Sequence, residues 1–149
     1  QEKESRIMSR KIFVNLPVKD LKKSMEFFRR LGFSFNLQFT DETAACMVIS
    51  DDIYAMLLTH ARFADFTKRT IVDPRTSVQA MFALSADSRN EVDDLVAKAV
   101  KAGGGADPNP SQDYGFMYGR SFDDPDGNIC EVFWMDPAAV EPAPEVAPA

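Results

Sequence analysis

Residues 122 to 135 read Phe122-Asp123-Asp124-Pro125-Asp126-Gly127-Asn128-Ile129-Cys130-Glu131-Val132-Phe133-Trp134-Met135, a turn followed by an apolar run with one carboxylate at its centre. Pro125 presets φ for the second position of a type I turn, and Gly127 suits the fourth. Side chains alternate along an extended run, so Ile129, Glu131 and Phe133 share one face while Cys130, Val132 and Trp134 share the other. An ionised carboxylate between Ile129 and Phe133 is costly unless it meets a cation, a donor or water. Glu131 is therefore the first candidate site residue.

Working upstream, Phe116 to Phe122 is a second strand candidate, and 107–112, with Pro108 and Pro110, reads as a loop. Gly103 to Gly105 closes a helix. That helix opens with a capping box, Ser88 and Glu91, and carries a stripe of Val92, Leu95, Val96, Ala99 and Val100. Val78 to Ala86 precedes it as a strand. The same order stands in the first half. Lys11 to Val18 is a strand that, with Pro17 lacking an N–H, should lie at a sheet edge or end there. Asp20 is the N-cap of a helix with Leu21, Met25, Phe28 and Leu31 at helical spacing, closed by Gly32. Phe33–Phe39, Ala44–Ser50 and Ile53–His60 then form an antiparallel meander, with Asp41-Glu42 and Asp51-Asp52 at its turns. The last run has no polar face and should be covered on both sides. Residues 61–77 are a long connection in which Phe63 and Phe66 pin a short helix.

Strand–helix–strands thus occurs twice, and the repeat governs the fold. The expected class is α+β: two βαβββ modules, about 11–60 and 78–135, within a single domain of 11–136. Their mixed sheet curls into a cup, and the helices lie on the outer face. Residues 1–10 read as a disordered or added segment, Met8 being a natural start, and 137–149 as a flexible Pro/Ala tail.

Composition narrows the function classes. Of 149 residues, 45% are apolar and 27% charged, ordinary for a globular domain. A net charge of −6 disfavours a nucleic-acid binder, which needs a basic face. No apolar run approaches the roughly 20 residues of a membrane span. Two cysteines, both within apolar runs, suit a reducing cytoplasm.

The opening Phe13-Val14-Asn15-Leu16-Pro17-Val18-Lys19-Asp20-Leu21, then Phe27-Phe28 and Leu31-Gly32-Phe33, resembles the vicinal oxygen chelate superfamily. Asp124-Pro125-Asp126-Gly127-Asn128 running into Glu131 resembles its closing strand. That superfamily includes glyoxalase I, bleomycin-resistance proteins, fosfomycin-resistance enzymes and extradiol dioxygenases. The likeness spans residues 11 to 135 and implies paired βαβββ modules, a cup-shaped site and a homodimer. In metal-using members it implies ligands on four strands, which here fall at Phe13, near Leu57, at Gln79 and at Glu131. Only Glu131 is a strong donor, so a divalent metal is disfavoured and no cofactor is expected.

The expected site is therefore Glu131 as a catalytic or salt-bridged carboxylate. Phe13, Asn15, Leu57, Gln79, Met81, Ser121 and Phe133 would contact the substrate. Gln79 would donate a hydrogen bond to Glu131 or to a ligand. Met117, Gly119 and Ser121 share one face, and Phe116, Tyr118, Arg120 and Phe122 the other. A bulge at Gly119 would swap them and turn Arg120 into an anion anchor; otherwise it pairs with an acid such as Asp123. Cys130 and Trp134 point to the helix side, with Trp134 in the core. His60, the only histidine, lies off the cup. Asp123, Asp124 and Asp126 are explained by turn chemistry without calcium. Two functions follow: a metal-independent binder of an apolar or aromatic small molecule, or a lyase, isomerase or dioxygenase using Glu131 as base or metal ligand.

Overall fold

The computed structural model describes residues 10–140; residues 1–9 and 141–149, most of the two terminal segments expected to be disordered, lie outside the described residues. The chain divides into two compact units, one ending at Ser77 and the other starting at Val78.

Unit 1 contains β1 (Ile12–Val18), α1 (Leu21–Arg30), β2 (Ser34–Asn36), β3 (Ala44–Val48), β4 (Ile53–Thr59) and a short α2 (His60–Ala64). The sheet order is β1-β4-β3-β2, with β1 parallel to β4 and the other pairs antiparallel. Pro17 cannot donate to a ladder, and β1 is indeed an edge strand. Asp20 caps α1 by accepting the Lys23 N–H at 3.1 Å. The run Phe33–Phe39 keeps only three strand residues. The Asn36 side chain accepts the Gln38 N–H, and residues 37–39 tighten into a 3-10 turn.

Unit 2 contains β5 (Phe82–Ser85), α3 (Arg89–Lys101), β6 (Gly105–Ala106), β7 (Gln112–Asp113), β8 (Met117–Asp123) and β9 (Ile129–Met135). Its order, β5-β9-β8-β6 with β7 also on β8, repeats the plan of unit 1: the first strand runs parallel to the last. The expected strand Val78–Ala86 begins only at Phe82. It lies against β9, which starts at Ile129, so residues before Met81 would face the turn and find no ladder partner. The α+β class and the βαβββ repeat hold, each sheet being mixed.

The turn ahead of β9 is built on Asp124. Its buried carboxylate accepts the N–H groups of Asp126, Gly127 and Asn128 at 3.0, 3.0 and 2.8 Å, and the Asn128 side chain at 3.0 Å. Gly127, at φ +99°, takes the left-handed conformation that other residues resist. Burial pushes the Asp124 carboxyl up to about 6. The acidic triplet is thus used at least in part by the backbone, as turn chemistry implied.

Candidate functional site

The β8–β9 ladder runs unbroken from Met117 opposite Met135 to Asp123 opposite Ile129, so no bulge interrupts it at Gly119. Ser121 lies opposite Glu131, Gly119 opposite Phe133, and Ala83 of β5 beside Glu131. Directly paired residues project to the same side. Met117, Gly119, Ser121, Glu131, Phe133 and Met135 therefore share one face. A cavity of about 230 Å³ opens there, bordered by Pro110, Gln112, Met117, Gly119, Glu131, Phe133 and Met135, with Arg120 and Val132 of the same two strands also at its border.

Glu131 does not meet Gln79, which is exposed at a bend ahead of β5. Its Oε2 instead accepts a hydrogen bond from Nδ2 of Asn109 at 3.1 Å. The same Nδ2 lies 3.2 Å from Sδ of Met81, which brings Met81 to the site. Asn109 comes from the loop between β6 and β7 and is held by Ser121. Its N–H donates to Ser121 Oγ at 3.0 Å, and that hydroxyl donates to its carbonyl at 3.2 Å. The loop leaves β6 through Asp107, a non-glycine residue at φ +53° whose N–H donates to the Ser121 carbonyl at 2.8 Å. Sequence reasoning set 107–112 aside as a connection and missed Asn109. The usable signal was an amide between two prolines, beside a strand already assigned a cavity-facing Ser121.

The opposite face lies against α3. Arg120 grips Asp107 through Nε and Nη2 at 3.1 and 2.7 Å and reaches Asp93 of α3 at 3.0 Å. Its guanidinium is thus neither an anion anchor nor a partner of Asp123, which accepts the Gly105 N–H at 2.7 Å. Hydrogen bonding to Arg120 lowers the Asp107 carboxyl, and Asp93 is lowered first by the Tyr118 hydroxyl and then by Arg120. Arg89 forms a two-point ion pair with Asp113 at 2.8 and 2.9 Å and stacks over the rings of Tyr118 and Trp134. Trp134 therefore faces the helix side as expected, but it is half-buried under Arg89 and not enclosed in the core. Cys130 is buried on this face, and burial pushes its thiol far above the ordinary range. It is not a nucleophile.

In unit 1 the register pairs Phe13 with Tyr54 and Asn15 with Met56. The Phe13 and Tyr54 rings stack at 4.7 Å, and Phe13 is 50% exposed. Leu57 is a correction. It pairs with Leu16 and Ala45, so it shares the opposite face with Ala55, and all but half-buried Leu16 are fully buried. Nothing in an all-apolar strand tells its two faces apart, and Met56 takes the place on the Phe13 face expected for Leu57. Leu57 and Leu58 point to opposite sides and are both buried, as a doubly covered strand requires. His60 is exposed, at the start of α2.

Among the described residues, no three His, Cys, Asp or Glu side chains converge to hold a metal ion. No helix there is long and apolar enough to cross a membrane. The family model of the glyoxalase/bleomycin resistance protein/dioxygenase superfamily matches residues 12–132. The chain belongs to this superfamily. A hypothetical protein from S. aureus shares the fold at 28% identity and TM-score 0.71, over 87% of this chain and 95% of that one. A lactoylglutathione lyase from Agrobacterium tumefaciens matches at 18% identity and TM-score 0.59, over 89% and 96%. TnmS3, an antibiotic binding protein from Streptomyces sp. CB03234, matches at 19% and 0.60, over 87% and 98%. No curated protein sequence matches the chain. In this superfamily member, of the four positions where ligands would stand, Phe13 is apolar, Leu57 faces away from Phe13, and Gln79 lies outside its strand.

Proposed function

We propose that the protein binds an apolar or aromatic small molecule in the cavity on the β8–β9 face, without a metal. The observation that carries this reading is the cavity's lining. Met117, Phe133, Met135 and Pro110 supply the apolar wall, and Glu131, hydrogen-bonded by Asn109 of the neighbouring loop, supplies a polar group in it. That combination is the usual chemistry of a small-molecule site. At about 230 Å³ the space suits one compact ring system. Glu131 is the one strong donor there, and an amide and a thioether are weak ligands for Zn, Ni, Fe or Mn, which are held by several His, Cys or carboxylate side chains. Cys46 and Cys130, both free and buried, fit a reducing cytoplasm.

The alternative is an enzyme in which Glu131 acts as a general base, favoured by its position at the cavity wall. Melting curves against a panel of aromatic alcohols, amines and acids test both readings, with and without chelator. A ligand at a hundredfold excess over its dissociation constant stabilises the fold by about 2.7 kcal/mol. The expected result is a shift with an aromatic ligand that chelator does not change. One tightly held metal per chain, lost on Glu131→Gln, would overturn the metal-free reading and favour the enzyme.

A further inference from the structure

We infer that the molecule bound here carries a primary ammonium or a similar multi-donor cation on its apolar body. The inference rests on the proposed cavity site and adds its charge and donor pattern. A carboxylate only accepts hydrogen bonds, so the atom of Asn109 facing Glu131 must be its NH₂ group. That fixes the amide's orientation. Nδ2 spends its hydrogens on Glu131 Oε2 and on the Met81 sulfur. Oδ1 of Asn109 and Oε1 of Glu131 remain, two acceptors on neighbouring side chains. Among the described residues no donor meets either, and no Lys, Arg or His forms an ion pair with Glu131. Arg120, the basic residue bordering the cavity, spends its guanidinium on Asp93 and Asp107.

The acceptor pair is held in place. Ser121 clamps the Asn109 main chain from both sides, and Arg120 ties down Asp107 two residues earlier. Asn109 is thus a positioning residue for Glu131. A half-buried negative charge in an apolar wall, with a second acceptor beside it, is satisfied by a ligand bringing a positive charge and at least two N–H groups. A carboxylate or phosphate ligand would meet repulsion there.

Calorimetry with matched probes sharing one apolar body tests this: 1-naphthylmethylamine, its N-trimethylated ammonium, 1-naphthalenemethanol and 1-naphthoate. The primary amine should bind about tenfold to a hundredfold tighter than the alcohol, the gain of a charge-assisted hydrogen bond, and the carboxylate should not bind. The trimethylated cation, which keeps the charge but has no N–H, should lose most of that advantage. Glu131→Gln should remove the amine's preference over the alcohol, and Asn109→Ala should reduce it. The trimethylated probe needs no variant, so a poorly folded Glu131→Gln leaves the test intact. Equal binding of amine and alcohol would overturn the inference while the apolar site stands. Failure of amine and alcohol alike would sink the site itself, and this inference with it.

Discussion

Acidification from pH 7 to pH 5 should stabilise this protein, and Asp124 is the reason. Its carboxyl is buried in the turn before β9 and sits at about 6, against an ordinary 3.8. The folded state therefore holds this proton more tightly than the unfolded chain does. The stability it contributes is fully present below pH 3.8 and is lost as pH rises through 6. The whole span is about 3 kcal/mol, and integrating the two titrations between pH 7 and pH 5 gives a gain of about 1 kcal/mol on acidification. Asp41, Asp93, Asp107 and Asp113 shift the other way, held low by hydrogen bonds. Their contributions are present above 3.8 and fade only as pH falls below it, so they change little in this window. Urea unfolding at pH 7, 6 and 5 measures the effect. Asp124→Asn separates it from general relief of the net charge of −6, because both proteins share that term. The variant keeps an acceptor for the three N–H groups but cannot titrate, so its slope should be shallower by about 1 kcal/mol over the window. Parallel slopes for the two proteins would refute the reasoning.

A side chain at Gly119 would project into the cavity, its Cβ 3.6 Å from that of Phe133, an ordinary contact. Gly119→Leu should therefore fill the space and abolish ligand-induced melting shifts, while costing less than about 1.5 kcal/mol in urea unfolding. Trp134→Ala should cost about 2–3 kcal/mol, below the range for an enclosed aromatic, because the ring is only half-buried and lies under the Arg89 guanidinium. If the variant kept its melting temperature but lost ligand binding, the face assignment of β9 would be reversed. We further propose a homodimer, because each sheet is open and edge strand β1 carries exposed Ile12 and Phe13. Light scattering at micromolar concentration should give twice the chain mass; a value near 16.6 kDa would exclude it.

The repeat was legible because helix caps, periodicity and turns agree locally in both halves. Asp20, Ser88 and Gly127 each act in the structure as their residue type implies. The faces of β9 were legible for a related reason: Glu131 breaks an apolar run, and one polar residue sets the parity of a whole strand. Leu57 failed for want of such a marker. With every neighbour apolar, a shift of one position costs nothing in the pattern yet moves a residue from one face of the sheet to the other. Gln79 failed for a non-local reason, since the strand that should hold it depends on where β9 begins. Tyr118 and Arg120 could be assigned to the α3 side only once the β8–β9 register was known to be unbroken.

The two units also explain why a candidate site forms where it does in unit 2. Both interrupt the outer strand of their antiparallel trio next to an asparagine held by a hydroxyl. In unit 1, Thr40 Oγ1 donates to the Asn36 carbonyl at 2.8 Å; in unit 2, Ser121 Oγ donates to that of Asn109. The consequences differ with the residues that follow. Asn36 turns its side chain onto the Gln38 N–H and caps its own 3-10 turn. Asn109 forms no such bond with the Ser111 N–H, and its amide reaches Met81 and the sheet instead. There it finds Glu131, lying between Ala83 and Ser121. At the matching place in unit 1, Met56 lies between Asn15 and Cys46, and a thioether offers an amide little. The same backbone plan thus yields a self-capped turn in one unit and a positioned carboxylate in the other. The difference lies in the acid that stands where unit 1 has a methionine.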